Sequence, residues 1–426
     1  MSGALFNMSV ASLRGFQVGL ETTAHNISNS NTEGYSRQSV TFVTTTPRLD
    51  GTNYVGTGME TDTIARKYDA AVMGALRSAT SEYHMLDTYS DFNASLDALL
   101  TDENAGLSPA MVEFFDGLQE LVDNPSSTAS RQVMLSKSDS LASRFQFLFD
   151  RIQDVREDFN RQLQFEVNEA NELALSIANL NQQILEAEAR PGSNANDLQD
   201  QRDAALNELS EKLDIQTLVQ ENGMVNVMIG SGQALVMGSI TNELTLGNNQ
   251  FDVNRKEVQL TTSSSTLTIT NQVSGGTIGG LANFRENVLD VSQNELGRIA
   301  LVLADQFNAV HATGMDMDGD LGAAFFQETT AQVYGNVDAA STLDYSTGVA
   351  ISDTTALTGS NYEIDYDGTN FTLTRVSDNQ TWTSANGNFT QDGLTITASG
   401  AAGAVAGDRI LIRPTEFGAK DFNLLI

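Results

Sequence analysis

Asn26-Ile27-Ser28-Asn29-Ser30-Asn31-Thr32-Glu33-Gly34-Tyr35-Ser36-Arg37-Gln38 closes the first helical stretch of the chain, and its reading decides how the rest is organised. Upstream of it, Phe6, Leu13, Leu20 and Ile27 recur every seven residues, with Phe16 between them. Such a repeat lines one narrow seam of a helix, the pattern of a coiled coil rather than of a broad globular face. A seam is buried only against another helix, and an isolated helix of this length is marginal in water. The segment therefore needs a partner from elsewhere in the chain or from a neighbouring subunit. The polar run after it offers Asn and Ser as side-chain caps, and Gly34 where a helix end or turn needs positive φ.

That stretch resembles the N-terminal signature of bacterial flagellar rod, hook and hook-associated proteins, and is specific to that group of axial proteins without choosing among its members. The seam residues Phe6, Leu13, Phe16, Leu20 and Ile27, with Asn26, Asn29, Thr32, Gly34, Tyr35 and Arg37 of the motif, are the expected assembly interface.

Composition limits the function classes. The 426 residues exceed one ordinary core, so two to four domains are expected. Against 55 acidic residues stand 23 basic ones, a formal charge of −32. That excludes the basic footprint nucleic acid requires and disfavours anionic membrane surfaces. Residues 1–60 carry a net charge of −1, leaving −31 for the remainder. A near-neutral arm on an acidic body suits an arm packed inside an assembly and a body in water. With no cysteine, disulfides and thiolate metal sites are impossible. No Sec-type signal and no membrane-length apolar run is visible, which alone would indicate the cytoplasm. The resemblance implies instead export through a dedicated channel and a secreted, extracellular location in the bacterial flagellum.

Taken in order, the chain reads as an α+β multidomain protein: a long helical-hairpin, coiled-coil body with small antiparallel β domains inserted and an N-terminal amphipathic arm. Residues 1–60 form the arm, a heptad helix followed by an extended loop broken by Pro47, Gly51, Gly56 and Gly58. Residues 61–215 are a helical rod domain. Its helices begin at Tyr68, at Ser108-Pro109 (Ser108 as cap, Pro109 at the first helical position) and near Ser127. In the last of these, Leu141, Phe145, Leu148, Ile152, Val155 and Phe159 alternate spacings of four and three; a stutter follows at Leu163 and Val167, and the seam resumes at Ile177, Leu180 and Ile184. From Leu141 to Ile184 a continuous helix spans roughly 65 Å. Pro191-Gly192-Ser193-Asn194 ends it, and a helix bearing Leu198, Leu206, Leu209 and Leu213 returns alongside. Residues 216–275 alternate at strand period, through Val225/Val227/Ile229, Leu235/Val236, Leu244/Leu246, Phe251/Val253, Val258/Leu260 and Leu267/Ile269, and form a small β domain. Residues 276–330 return to helix. Residues 331–413 are an outer β-rich insert, clearest at Tyr362, Ile364, Tyr366, the Asp367-Gly368 turn, Phe371 and Leu373. Residues 414–426 head back to the body.

Later stretches are similar to one branch of the axial group, the hook-associated family that joins hook to filament: Asn196-Asp197-Leu198-Gln199-Asp200-Gln201-Arg202-Asp203, Gly275-Gly276-Thr277-Ile278-Gly279-Gly280-Leu281, and Phe307 to Phe326. The resemblance implies self-association in a single annular layer, contact with hook protein and with the second hook-associated junction protein, and handling by the flagellar export apparatus and an export chaperone. In that family a C-terminal helix pairs with the N-terminal one. No such heptad precedes Ile426, so the expectation is a fragment or truncation lacking that helix and the chaperone site it would carry, with the arm of residues 1–60 disordered when free.

No enzymatic chemistry stands out, and neither cofactor nor metal is expected. Counted as a calcium loop from Asp316, positions six and twelve are Leu321 and Gln327 rather than Gly and Glu, so Asp316-Met317-Asp318-Gly319-Asp320 reads as a turn. His25, His84 and His311 lack ligand spacing, and no nucleophile elbow or phosphate loop occurs. Glu363 and Asp365 share a strand face opposite Tyr362, Ile364 and Tyr366 and are expected in solvent. A structural junction protein accounts for seam, motif and charge asymmetry together; the alternatives are an adhesin-like binding module carried by the β inserts and a secreted hydrolase.

Overall fold

The computed structural model describes residues 2–102, 105–189, 193–252, 254–316, 319–337 and 339–425. Pro191, Gly192, Val253, Met317 and Asp318, each named above, lie outside them. The chain forms two compact units: Met1–Thr88 with Leu163–Gly247 and Glu257–Gly280, and Tyr89–Gln162 with Asn248–Lys256 and Leu281–Ile426.

The first unit opens with α1 (Ser2–Ser28), then β1 (Gln38–Thr44), the short β2 (Arg48–Asp50) and β3 (Asn53–Val55), and β4 (Met59–Arg66). β1 and β4 pair antiparallel from Gln38↔Arg66 to Thr44↔Met59, so one ladder carries the chain across residue 60. α2 (Ala70–Leu100) begins this unit's helical part, where Asp69 Oδ1 accepts the N–H groups of Ala71 and Val72. That cap places the helix start two residues after the expected Tyr68.

α3 (Leu107–Asp123) and α4 (Thr128–Glu188) follow. Here the structure corrects the reading of Ser108-Pro109: Gly106, which has no side chain to cap with, holds the N-cap position of α3, and Pro109 is its third residue. Proline is tolerated there because first-turn N–H groups have no intrahelical acceptor to lose. α4 gives its residues up to Gln162 to the second unit and those from Leu163 to the first, with Ser127 Oγ accepting from Ser130 N at its start. Its seam is buried at Leu141, Phe145, Leu148, Ile152, Phe159, Leu163, Val167, Ile177 and Ile184. Ala170 and Ala174 continue it between Val167 and Ile177. The stutter at Leu163 therefore shifts the stripe without breaking it.

α5 (Asn196–Lys212) returns beside α4 and buries Leu206 and Leu209. A polar node ties the two helices together: Asn181 Oδ1 accepts from Arg202 at 3.0 Å and from Val225 N at 3.0 Å, while its amide donates to the Val225 and Gly238 carbonyls. The β part comprises the sheet β5 (Ile215–Val219), β6 (Val225–Ile229), β7 (Gln233–Met237), β8 (Ile240–Thr241), and a second sheet of β9 (Glu243–Asn248), β10 (Lys256–Thr261) and β11 (Thr266–Thr268). Phe251 is not in a strand as the alternation predicted. It sits in the β9–β10 loop, 5.9 Å beneath the Arg409 guanidinium.

The second unit holds α6 (Gly276–Phe284) from Leu281 onward, a π turn at Arg285–Leu289, and α7 (Asp290–His311). Phe114, Phe145, Phe326 and Phe422 form its helical core; the Phe422 ring stacks on Phe326 at 4.4 Å and lies 4.8 Å from Phe145. The outer β region is two antiparallel sheets. One is β12 (Gln332–Asn336), β19 (Arg409–Arg413), β14 (Tyr362–Tyr366), β15 (Phe371–Arg375) and β16 (Gln380–Ser384), in that spatial order. The other is β13 (Val349–Ile351), β18 (Leu394–Ile396) and β17 (Phe389–Gln391). Their common core includes Tyr345, Tyr362, Ile364, Phe371, Leu373, Leu394 and Ile412. Glu363 departs from expectation: it is partly buried and paired with Arg409 of β19 at 2.5 Å, because the β14–β19 register sets the two strands' charges side by side.

Candidate functional site

α1 has two faces of opposite character. Phe6, Leu13, Leu20 and Ile27 are 68–72% exposed and Phe16 60%, so the heptad seam lies bare. The opposite face buries Gly15 and Thr22, with Gly15 against Phe42 and Met59 of the β1–β4 hairpin and Met8 beside Gly58. A Cβ on Gly15 would stand 3.3 Å from both Phe42 and Met59, which shows how closely strand side chains approach the helix. α1 thus rests on the hairpin through this face, and Phe16, at the edge of the seam, also comes within 6.4 Å of the Phe42 ring; the structure packs the arm where the sequence reading expected it free.

The signature motif folds onto itself and then onto α5. Asn26 Oδ1 accepts from Tyr35 OH and from Gln38 N, each at 2.8 Å, and its amide donates to the Gln38 carbonyl at 2.9 Å. A primary amide presents acceptor and donor together on a short side chain, which accounts for the residue type. Asn29 donates back to the His25 carbonyl at 3.1 Å and receives the Thr32 hydroxyl at 3.4 Å. Gly34 turns the chain at φ +76°, with Ala204 of α5 at 3.4 Å from where a Cβ would be. The Tyr35 ring meets His25 edge-on at 5.5 Å, and burial, then Asp197 and Asp200, raise its phenol above the ordinary value. Arg37 is exposed. The eleven expected interface residues thus separate into an outward-facing seam and a motif largely engaged within the chain.

Sequence reading missed the motif's partner, the row Asp197, Asp200 and Asp203 on α5. Asp197 Oδ1 accepts from Gln38 Nε2 at 2.7 Å and lies 3.4 Å from His25 Nε2. Asp200 accepts the Ser36 N–H at 2.9 Å and Arg66 at 2.9 Å through its two oxygens. Asp203 takes Arg66 and, at 3.0 Å, Arg77. Asn196 Nδ2 donates to the Ile64 carbonyl of β4 at 2.7 Å. Burial alone would lower the Arg66 guanidinium, but Asp203 and Asp200 hold it above its usual range. Spacings of three along α5 put the carboxylates on one face, and the stretch was singled out by its resemblance, but nothing local linked it to the N-terminal motif.

The remaining candidates are structural. His84 stacks edge-on with Tyr83 at 5.3 Å, and His311 Nδ1 lies 2.7 Å from the Ala323 carbonyl. Asp316 Oδ1 accepts from Asp320 N at 2.9 Å. Among the described residues no group of three His, Asp or Glu is placed to hold a metal ion, and no helix is long and apolar enough to cross a membrane.

Residues 93–326 match the family described as the flagellar hook-associated protein FlgK helical domain, and residues 336–414 match a flagellar hook-associated protein 1 D2-like domain. The flagellar hook-associated protein 1 of Salmonella typhimurium is 32% identical over 99% of this chain and 77% of its own length. That of Escherichia coli K12 is 30% identical over 99% and 78%. The flagellar hook junction protein FlgK of Burkholderia pseudomallei superposes with a TM-score of 0.76 at 30% identity, covering 83% of this chain. The present chain spans 64% of that solved chain's length. On this breadth of similarity, the chain belongs to the flagellar hook-associated protein 1 family.

Proposed function

We propose that the chain is a structural subunit of the hook–filament junction, secreted through the flagellar export apparatus and assembled as one annular layer between hook protein and the second hook-associated protein. An export chaperone completes the set of partners, and no step of catalysis is involved. The observation that carries this reading is the bare seam of α1, in a helix whose other face is already packed. Four large apolar side chains at heptad spacing, each more than two-thirds exposed, are unfavourable in water and are covered on assembly. The adhesin-like alternative finds less support, because the large apolar side chains of the β insert chiefly form its own core.

The test is a cell whose only copy of the protein carries Leu13→Asp and Leu20→Asp. The body stays folded and the variant reaches the medium, but hooks remain without filaments and filament subunits are lost. Normal filaments and motility would refute the seam as the assembly element.

A further inference from the structure

We infer that Asp200 is the positioning residue that aims the arm, fixing the direction in which α1 presents its seam; the inference rests on the assembly reading above. The chain enters the β1–β4 hairpin from α1 just before β1 and leaves it toward α2 just after β4. Asp200 grips both passages with one carboxylate: Oδ2 takes the backbone N–H of Ser36, two residues before β1, and Oδ1 takes Arg66, the last residue of β4. Gln38 and Arg66 are themselves the first pair of the β1–β4 ladder. The hairpin is therefore stapled at its root to a helix that is itself anchored by buried leucines.

The flanking contacts resist rotation about that staple. Asp197 holds Gln38 on one side, Asp203 holds Arg66 and Arg77 on the other, and Asn196 holds the β4 backbone at Ile64. The Asp200, Asp203, Arg66 and Arg77 side chains are each no more than 10% exposed. Charge-assisted bonds in so sheltered a place are short, strong and directional, which suits an element that must hold an angle. An apolar contact of the same area would tolerate sliding. Two stretches far apart in sequence, the N-terminal signature and the Asn196–Asp203 run, thus act as one joint.

The test uses the absence of cysteine in the chain. Spin labels at Thr23→Cys on α1 and Glu208→Cys on α5, both exposed positions, report the arm's angle as a distance distribution. The wild-type background gives a single narrow distance. Asp200→Ala loses it, giving a broad distribution, and Arg66→Gln, which leaves α5 untouched, broadens it as well, while the melting of the helical body stays in place. An unchanged narrow distribution in both variants overturns the inference. Leu13→Asp plus Leu20→Asp keeps the narrow distance, so failure of the joint and failure of the seam are read separately.

Discussion

Gly15 of α1 lies directly against the Phe42 ring of β1, leaving only 3.3 Å for any side chain placed there. The contact fixes which face of α1 is inward and so leaves the heptad seam outward. Gly15→Val should push α1 from the hairpin, an overpacking cost of about 1–3 kcal/mol. Hydrogen exchange should show faster opening of α1 and β1 with the helical body unchanged. Unaltered protection in α1 would mean that the helix does not depend on this contact.

Asn26→Ala removes three hydrogen bonds at the helix-to-strand turn. It leaves the Gln38 amide without its acceptor, at an expected cost of about 1–3 kcal/mol. Asn26→Asp should be intermediate, since it keeps the acceptor and loses the donor. Urea denaturation monitored at Tyr35 checks the order; equal effects of the two substitutions would contradict it.

Ile152 and Phe159 are fully buried on α4. Replacement of either by Ala should cost about 2–5 kcal/mol. Glu363→Gln, which loses only a partly exposed ion pair with Arg409, should cost about 1 kcal/mol or less. Thermal denaturation should rank them in that order, and the reverse order would discredit the assigned core.

Asp290 is held by Arg156 at 2.9 Å and by Arg255. Burial alone would raise its carboxyl, yet the two guanidinium groups keep it well below the usual carboxylate range. A depressed folded pKa contributes stability that is complete above the unfolded value of about 3.9 and is lost as pH falls from there toward the folded one. Asp290→Asn should therefore destabilise the second unit at pH 7 by about 3 kcal/mol. The gap from wild type should close as the solution is acidified through and below that range. A gap that widened on acidification would reverse the sign of the argument.

What the sequence revealed follows from the range of each interaction. The α1 seam and the α4 stripe are local periodicities, and the stutter at Leu163 was visible for the same reason. The β14–β15 hairpin announced itself by alternation around Asp367-Gly368, where Gly368 takes φ +95°. The inward face of α1 stayed hidden because Gly15 and Thr22 carry no apolar signal; they matter by being small. Phe251 misled because a loop aromatic beneath Arg409 reads like a strand residue. Glu363 looked solvated because its partner Arg409 arrives from a strand 46 residues later, beyond any local pattern. The same holds for Ser36 and Asp200, 164 residues apart: each lay in a stretch singled out separately, and only the fold joined them.

The most direct measurement of the central claim is thiol labelling at Leu20→Cys, in a chain that otherwise has no cysteine. The free protein should react with a soluble maleimide at the rate of an exposed thiol, since Leu20 is 72% exposed. In isolated flagella carrying the variant, the same position should be protected, while Glu208→Cys on the body serves as the reactive control. Equal labelling of Leu20→Cys in the free and assembled states would contradict the account, because the seam would then remain open to water at the junction it is held to build.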